Sequence, residues 1–538
     1  MVIGEYMVTY YSLTYLWVFL PVCMLLYQLM PQKYRWTVLL GSGFFYLWLL
    51  SRPMVLFLGF TVLSSYFAGL WMDKLHSRKK EALKEAQKEE KKEIKAAYQK
   101  KLRRVLVLGI LANLSLLALL NYSMFFCDNM NILLEKLGLA FHLHVPSILR
   151  TFAPIGISFY TMEAMSYLID VCRGTIGADR NLFRLATYMS FFPQTMEGPI
   201  ARYSETASQL WAGKPITCRY LCRGSQRILF GFLKKMVIAD HLEVIVKPLF
   251  ENPGTDGGLI ALAMICYTLQ LYMEFSGTMD VVIGSGEIFG VRLPENFQQP
   301  FFSRSISEFW MRWHITLGAW FRDYIFYPMS VSKKLKTLTS GIKAKFGVRA
   351  AAIVSGAAAL FCVWICNGLW HGDGWQYIFF GMYHFVLILL GTIVEPRMAK
   401  LEEQGKLNRK TAAYRAMQLL RTFLLVNIGE LFFRAPTLSQ GIYMFKTMVT
   451  HFTLNGLKLS SLRLYSMDAA KVIMLFAVLG LIFYIHWLRE KKVDVREAVA
   501  QKPLALRWAA YLGLILLIAV FGAYGAGYIP IAPIYAGF

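Results

Sequence analysis

Residues 267–328 read YTLQLYMEFSGTMDVVIGSGEIFGVRLPENFQQPFFSRSISEFWMRWHITLGAWFRDYIFYP, and a distant segment, residues 367–374, reads NGLWHGDG. Both segments concentrate polar side chains in a chain that is 56% hydrophobic and only 17% charged. An ionisable side chain next to hydrocarbon costs about 2.5–3.5 kcal/mol, so such a cluster is a candidate functional site. Its members are Glu274, Asp280, Glu295, Asn296, Arg304, Glu308, Arg312, His314, Arg322, Asp323, His371 and Asp373.

The rest of the chain is divided into apolar runs of about 20 residues, the length that crosses the hydrocarbon core of a bilayer. Together with a mean hydropathy of +0.44, this pattern predicts an all-α polytopic membrane protein in a lipid bilayer. We expect 11–12 transmembrane helices, with spans near residues 14–30, 36–51, 54–71, 104–121, 151–170, 229–248, 258–283, 349–366, 375 onward, 412–433, 470–488 and 508–526.

The formal net charge is +24, which by itself is compatible with nucleic-acid binding. The basic residues, however, lie between the apolar runs, at residues 73–104, 330–349, 396–411 and 489–507. With an external N-terminus, the order of the spans places all four connections on the cytoplasmic side, as the positive-inside rule requires. Membrane topology therefore explains the charge, and we expect no nucleic-acid partner.

The connection at residues 73–104 contains 13 Lys/Arg and 6 Asp/Glu. Glu81 with Lys84 and Glu85 with Lys88 have the spacing of neighbours on a helix surface, which predicts a solvated, basic, cytoplasmic helical insert. The alternative is that this insert binds anionic lipid or an acidic carrier protein.

Two segments do not have the pattern of a spanning helix. Leu182–Tyr203 is short and contains Pro193, Gly198 and Pro199, so we expect either a re-entrant segment or an interfacial loop. Residues 303–327 are expected to form one interfacial helix with a charged ridge and bulky aromatic residues. Helical spacing would place His314 on one face with Trp310, Leu317 and Phe321.

Several residues of this cluster have a structural and a functional interpretation. Glu274 and Asp280 would bind a cation, relay protons or hold a broken helix in place by hydrogen bonds. A lone histidine such as His314 is more often a hydrogen-bonded packing residue than a catalyst. The eight cysteines are scattered without a metal-ligand spacing, so no metal site is predicted.

Six blocks carry a resemblance to a known family: PIGISFYTMEAMSYLIDVCRG, SFFPQTMEGPIARYS, YTLQLYMEFSGTMDVVIG, VRLPENFQQPFFSRSISEFWMRWHITLGAWFRDYIFYP, NGLWHG and LFFRAP. In order, they resemble the membrane-bound O-acyltransferase family, most of all its alginate O-acetyltransferase branch, with the teichoic acid D-alanyltransferases as a related branch. The resemblance implies one membrane domain over residues 1–538, with helices around a central funnel or tunnel, a catalytic core at residues 267–374 and a multi-pass location in a bacterial inner membrane.

The resemblance also implies that His371 and His314 are essential. A hydroxyl group is a poor nucleophile at neutral pH, and a neutral imidazole is suited to remove its proton. We assign this role to His371; His314 would hold the donor or relay the proton. Asn367 or the backbone N–H groups near Gly372 would stabilise the oxyanion. Donor or substrate binding is expected of Trp310, Glu274, Asp280, Arg304, Arg312 and Arg322; the arginines suit phosphate groups, with lipid headgroups as the alternative partner.

The expected reaction is transfer of an acyl group, acetyl first, from a cytoplasmic thioester to an acceptor beyond the membrane. The donor would be acetyl-CoA or the phosphopantetheine arm of an acyl carrier protein, without a tightly bound cofactor. The acceptor would be a polysaccharide hydroxyl or an extracytoplasmic partner acyltransferase. Three alternatives stay open: D-alanyl transfer to teichoic acid from a carrier protein, a proton-coupled transporter, and a scaffold for polysaccharide export.

Overall fold

The computed structural model describes residues 9–50, 52, 54–139, 141–146 and 156–524. These residues form helices almost throughout, and within them the only β pairing is a single antiparallel bridge between Phe297 and Trp313. The predicted all-α polytopic membrane protein is thereby confirmed. The beginning of the span predicted at residues 151–170 lies outside the described residues.

Eight of the described helices are long and apolar enough to cross a membrane. They correspond to eight of the predicted spans. The other four predicted spans, near residues 14–30, 36–51, 151–170 and 229–248, coincide with helices that are shorter or carry more charge. The eight long helices are Val55–Glu85, Glu90–Asn121, Gly257–Ile288, Lys333–His371, Trp375–Glu403, Ala412–Arg434, Ala469–Glu490 and Leu504–Phe521.

The described residues divide into two compact units. The first comprises residues up to Ile228 together with Val281–Pro294, and the second comprises Leu229–Asp280 and the chain from Glu295 onward. Each unit thus combines segments that are distant in sequence. The helices that begin before residue 229 are α1 (Leu20–Leu29), α2 (Arg35–Leu50), α3 (Met54–Glu85), α4 (Glu90–Asn121), α5 (Ser123–Lys136), α6 (Ile157–Arg173), α7 (Leu182–Ser190), α8 (Phe192–Thr195), α9 (Tyr203–Leu210) and α10 (Cys218–Phe232).

An aromatic cluster forms part of the core of the first unit. Tyr10, Tyr15 and Tyr46 are fully buried, and the ring centroids of Tyr10 and Tyr46 are 5.7 Å apart in a stacked arrangement. The Tyr10 hydroxyl donates to the Phe192 carbonyl at 3.0 Å, which ties the irregular α7–α8 segment to this cluster. Residues 182–203 therefore form short helices and turns that are largely buried in protein, the setting in which irregular backbone is tolerated at membrane depth.

Residues 73–104 are the ends of α3 and α4 and the turn between them, rather than a separate insert. Each of these two helices has 32 residues, or about 48 Å at the α-helical rise, which exceeds the roughly 30 Å of the hydrocarbon core. Charged residues occupy the excess length. The cytoplasmic location of this hairpin stays a prediction.

The second unit is built on long helices that include the remaining candidate spans. Three of its short helices lie between residues 306 and 330, where much of the polar cluster of the sequence is found. The helices that begin after residue 229 are α11 (Asp240–Glu251), α12 (Gly257–Ile288), α13 (Ile306–Arg312), α14 (Ile315–Phe321), α15 (Tyr327–Ser330), α16 (Lys333–His371), α17 (Trp375–Glu403), α18 (Ala412–Arg434), α19 (Leu438–Thr450), α20 (Leu459–Arg463), α21 (Ala469–Glu490), α22 (Val495–Ala500) and α23 (Leu504–Phe521).

The prediction of a single interfacial helix at residues 303–327 is wrong. The helix breaks after Arg312, because Trp313 is extended and pairs with Phe297, and His314 has a left-handed backbone. Backbone hydrogen bonds from the neighbouring strand-like segment replace the helical ones: Gln298 N–H donates to the Arg312 carbonyl at 2.9 Å, and Ile315 N–H donates to the Asn296 carbonyl at 3.0 Å. Hydrogen bonds to residues 296–298 have thus replaced the helical hydrogen bonds that the sequence around His314 would otherwise form.

Candidate active site

A cavity of about 60 Å³ lies between α13, α14 and α16, entirely within the second unit. Its walls are mostly aromatic, and both predicted histidines contribute to it. The lining residues are Trp310, Trp313, His314, Leu317, Gly318, Phe321, Val363, Trp364, Asn367 and His371. The structure thus brings together four of the residues singled out from the sequence: Trp310, His314, Asn367 and His371.

His314 lies at the break between α13 and α14. Its φ of 46° lies in the left-handed region, which costs an L-residue about 1–2 kcal/mol. The bridge between Phe297 and Trp313 and the Asn296–Ile315 hydrogen bond hold the chain in this conformation. Strain of this kind is found at functional sites, where surrounding contacts enforce a particular side-chain direction.

Asn296 determines the tautomer of His314. The Asn296 Oδ1 accepts from the Thr316 N–H at 3.1 Å and from the Thr316 hydroxyl at 3.0 Å, and it lies 3.2 Å from His314 Nδ1. Because a backbone N–H can only donate, this Asn296 atom is the amide oxygen. His314 Nδ1 therefore carries the proton, and in the neutral ring the lone pair is on Nε2.

Burial favours the neutral ring. His314 is 3% exposed, and desolvation lowers its pKa well below the ordinary value, with a smaller contribution from repulsion by His371. The edge of the ring also contacts Phe275 of α12, with ring centroids 4.9 Å apart. His314 is thus expected to be uncharged at neutral pH, with a lone pair on Nε2 that can accept a proton.

His371 and Asn367 reach the cavity from the last turn of α16. They are four residues apart, so both side chains point to the same side of the helix. The helix ends directly after His371, at Gly372, whose φ is 153°. A Cβ at Gly372 would lie 2.5 Å from the Tyr377 ring, so a glycine is required where the chain turns into α17.

His371 is surrounded by aromatic rings. The centroid of its ring lies 4.8 Å from that of Trp370 and 5.0 Å from that of Phe433. The side chain is 6% exposed, and that of Asn367 is equally buried. Within the described chain, the Asn367 Oδ1 has no hydrogen-bond partner. The amide oxygen of Asn367 is therefore available as an acceptor to a bound molecule next to His371.

The three predicted arginines lie outside the cavity lining. Arg312 is held by two carboxylates: its guanidinium donates to Glu308 at 2.8 Å and to Glu490 at 2.7 Å. Arg322 forms an ion pair with Asp323 at 2.9 Å. Arg304 is exposed, and its carbonyl accepts from Arg421. Phosphate binding by these arginines stays a prediction.

Glu274 and Asp280 are engaged by two consecutive buried lysines. Lys235 Nζ lies 2.7 Å from Glu274 and 2.9 Å from Asp240, and Lys234 Nζ lies 2.7 Å from Asp280. All five side chains are at most 5% exposed. These contacts favour a structural role for Glu274 and Asp280, because buried charges are retained when each is paired. The break predicted in their helix is wrong, since α12 is continuous from Gly257 to Ile288.

Sequence reasoning assigned no role to Asn296 or to His384. His384, on α17, is fully buried, and its Nδ1 accepts from the indole N–H of Trp310 at 3.2 Å. The available signal was a histidine inside an apolar span, 13 residues after His371. Among the described residues, no group of three or more His, Cys, Asp or Glu side chains is arranged to hold a metal ion, and all eight cysteines are free.

Comparison with known proteins gives three informative relatives. The chain is 32% identical over 521 residues to a probable alginate O-acetylase AlgI of Pseudomonas putida, covering 95% of this chain and 96% of the relative. It is 26% identical over 481 residues to a peptidoglycan O-acetyltransferase of Helicobacter pylori, covering 83% and 80%. It is 32% identical over 253 residues to a teichoic acid D-alanyltransferase of Bacillus subtilis, covering 46% and 60%.

No family model matches the chain. The likeness to the probable alginate O-acetylase nevertheless extends over nearly the whole length of both proteins, at an identity that establishes common family membership. The three relatives are bacterial and are named as acyltransferases. This chain is therefore an acyltransferase and belongs to the membrane-bound O-acyltransferase family.

Proposed function

We propose that this protein transfers an acyl group, acetyl being the first candidate, from a cytoplasmic thioester to a hydroxyl group beyond the membrane. The acceptor is either an extracytoplasmic polysaccharide or a partner acyltransferase that passes the group on. The observation that carries this proposal is the shared cavity of His314 and His371. In this buried, mostly apolar cavity, the imidazole of His371 supplies a base and that of His314 supplies a proton relay.

The chemistry requires one proton transfer in each direction. His371 removes the proton of the acceptor hydroxyl while its oxygen attacks the thioester carbonyl carbon, forming the C–O bond. The C–S bond then breaks, and the thiolate takes up the proton that the histidine received. His314, whose Nδ1–H is held by Asn296, has its lone pair on Nε2 and relays this proton. The NH2 group of the Asn367 amide donates to the developing oxyanion.

The size of the cavity supports a short acyl group. About 60 Å³ corresponds to roughly four to six water-sized positions, which suits the few non-hydrogen atoms of an acetyl group. D-alanyl transfer is the second candidate, because a teichoic acid D-alanyltransferase is among the relatives and the D-alanyl group is only slightly larger.

The test is the variant His371→Ala, examined in bacterial cells that make the protein. Mass spectrometry of the surface polysaccharides should show the acyl ester with the wild-type protein and none with the variant, although the variant is inserted in the membrane in equal amount. His451, which is exposed and hydrogen-bonded to its neighbour Thr450, provides the matched control. His451→Ala should acylate normally. Normal acylation by His371→Ala would refute the assignment of the base.

A further inference from the structure

The cavity wall formed by Trp310 is held from behind by one side chain. The indole N–H of Trp310 donates to His384 Nδ1 at 3.2 Å, and the two ring centroids are 4.8 Å apart. Trp310 lines the cavity that contains His314 and His371, whereas His384 does not line it. His384 therefore acts on the cavity only through Trp310 and its other aromatic neighbours.

The chemistry of this hydrogen bond fixes the state of His384. An indole nitrogen can only donate, so His384 Nδ1 must be an acceptor, and the neutral ring carries its proton on Nε2. Nothing in the described residues accepts a hydrogen bond from that Nε2. Gly429 faces it closely, since a Cβ at Gly429 would lie 2.6 Å from this nitrogen.

An apolar side chain of similar size at position 384 would not leave a polar N–H group buried without a partner. The imidazole is instead packed on every side: it stacks on Trp364 at 5.4 Å with an interplanar angle of 27°, and its edge meets Phe380 at 4.7 Å. What the histidine adds to this packing is the acceptor for Trp310. Trp364, like Trp310, lines the cavity.

We infer that His384 is a positioning residue that holds the Trp310 indole as a wall of the cavity and thereby limits the size of the acyl group. This inference rests on the proposed acyl transfer. Without the hydrogen bond the indole can rotate away, and the cavity enlarges. The wild-type protein should therefore favour acetyl over butyryl thioesters more strongly than a variant in which position 384 cannot accept a hydrogen bond.

The experiment uses the full-length protein in lipid nanodiscs, with acetyl-CoA or butyryl-CoA as donor probe and alginate oligosaccharides as acceptor probe. Release of free thiol gives kcat and KM for each donor. His384→Leu should raise the ratio of butyryl to acetyl kcat/KM at least fivefold. His384→Asn should restore the ratio to within about twofold of the wild-type value, because the asparagine oxygen occupies the position of Nδ1 along the side chain.

Tyr383→Phe is the matched control. Tyr383 precedes His384 on α17, and its hydroxyl donates to the Leu425 carbonyl at 2.8 Å, away from the cavity. This variant loses one hydrogen bond between α17 and α18 and should leave the donor ratio unchanged. An equal change of the ratio in Tyr383→Phe and His384→Leu would mean that general loosening of α17 is responsible, and the inference would be overturned.

A second readout does not depend on activity. The indole ¹⁵N–¹H resonance of Trp310, identified by its loss in Trp310→Phe, should move in His384→Leu and return toward the wild-type position in His384→Asn. An unmoved resonance, or a moved resonance with an unchanged donor ratio, would overturn the inference. If the wild-type protein consumes neither donor, the proposed function fails instead, and the resonance still reports whether His384 holds the indole.

Discussion

Replacing Asn296 by alanine tests the tautomer of His314 directly. The Asn296 side-chain oxygen accepts three hydrogen bonds at 3.0–3.2 Å, one from His314 and two from Thr316. At about 1 kcal/mol each, their loss should lower the free energy of unfolding by roughly 3 kcal/mol. The part that belongs to His314 is about 1 kcal/mol, which corresponds to a roughly fivefold fall in kcat if only one tautomer is active.

Thr316→Val separates the two effects. This variant loses the bond from the Thr316 hydroxyl to Asn296 and keeps those from the Thr316 N–H and from His314, so it should lose about 1 kcal/mol of stability and less than a factor of two in kcat. Both variants are compared in the thioester assay and by thermal unfolding in detergent. A folded Asn296→Ala protein with the wild-type kcat would show that the orientation of His314 is irrelevant to transfer.

Asn296→Asp changes charge while it keeps the acceptor. A carboxylate 3.2 Å from His314 Nδ1 favours the imidazolium form and should raise the pKa of His314, which burial otherwise depresses. Transfer should then decline at a higher pH on acidification than in the wild type. An unshifted pH profile of kcat would indicate that His314 does not need to be neutral.

Two further predictions concern stability. Glu274→Ala leaves Lys235 with one fewer carboxylate in a buried site, and it should lower the free energy of unfolding by about 3–5 kcal/mol; a loss below about 1 kcal/mol in thermal unfolding would contradict the structural role of this pair. Because the pKa of His314 is lower in the folded chain than in the unfolded chain, only the unfolded chain binds a proton at this residue just below about pH 6.5. The free energy of unfolding should therefore be highest above about pH 6.5 and decrease below it. Denaturation followed between pH 5 and 8 should show a shallower decrease in His314→Asn than in the wild type, and parallel curves would count against this origin.

Much of the architecture could be predicted because membrane insertion is read from local sequence. Runs of about 20 apolar residues specify spanning helices independently of their neighbours, since every backbone polar group is satisfied within the helix. The eight helices that are long and apolar enough were anticipated in this way. The prediction of one helix across Trp313 and His314 was wrong because this segment pairs with residues 296–298, which belong to another part of the chain.

The sequence by itself determined the all-helical membrane class, the family and the two histidines worth testing, because hydropathy and short motifs are properties of consecutive residues. Only the tertiary structure decided which groups hold those histidines and their cavity. Asn296 and His314 are 18 residues apart, Lys235 and Glu274 39, and Trp310 and His384 74. Hydrogen bonds and ion pairs of this kind form only where folding brings distant side chains within about 3 Å, and no periodicity along the chain encodes that distance.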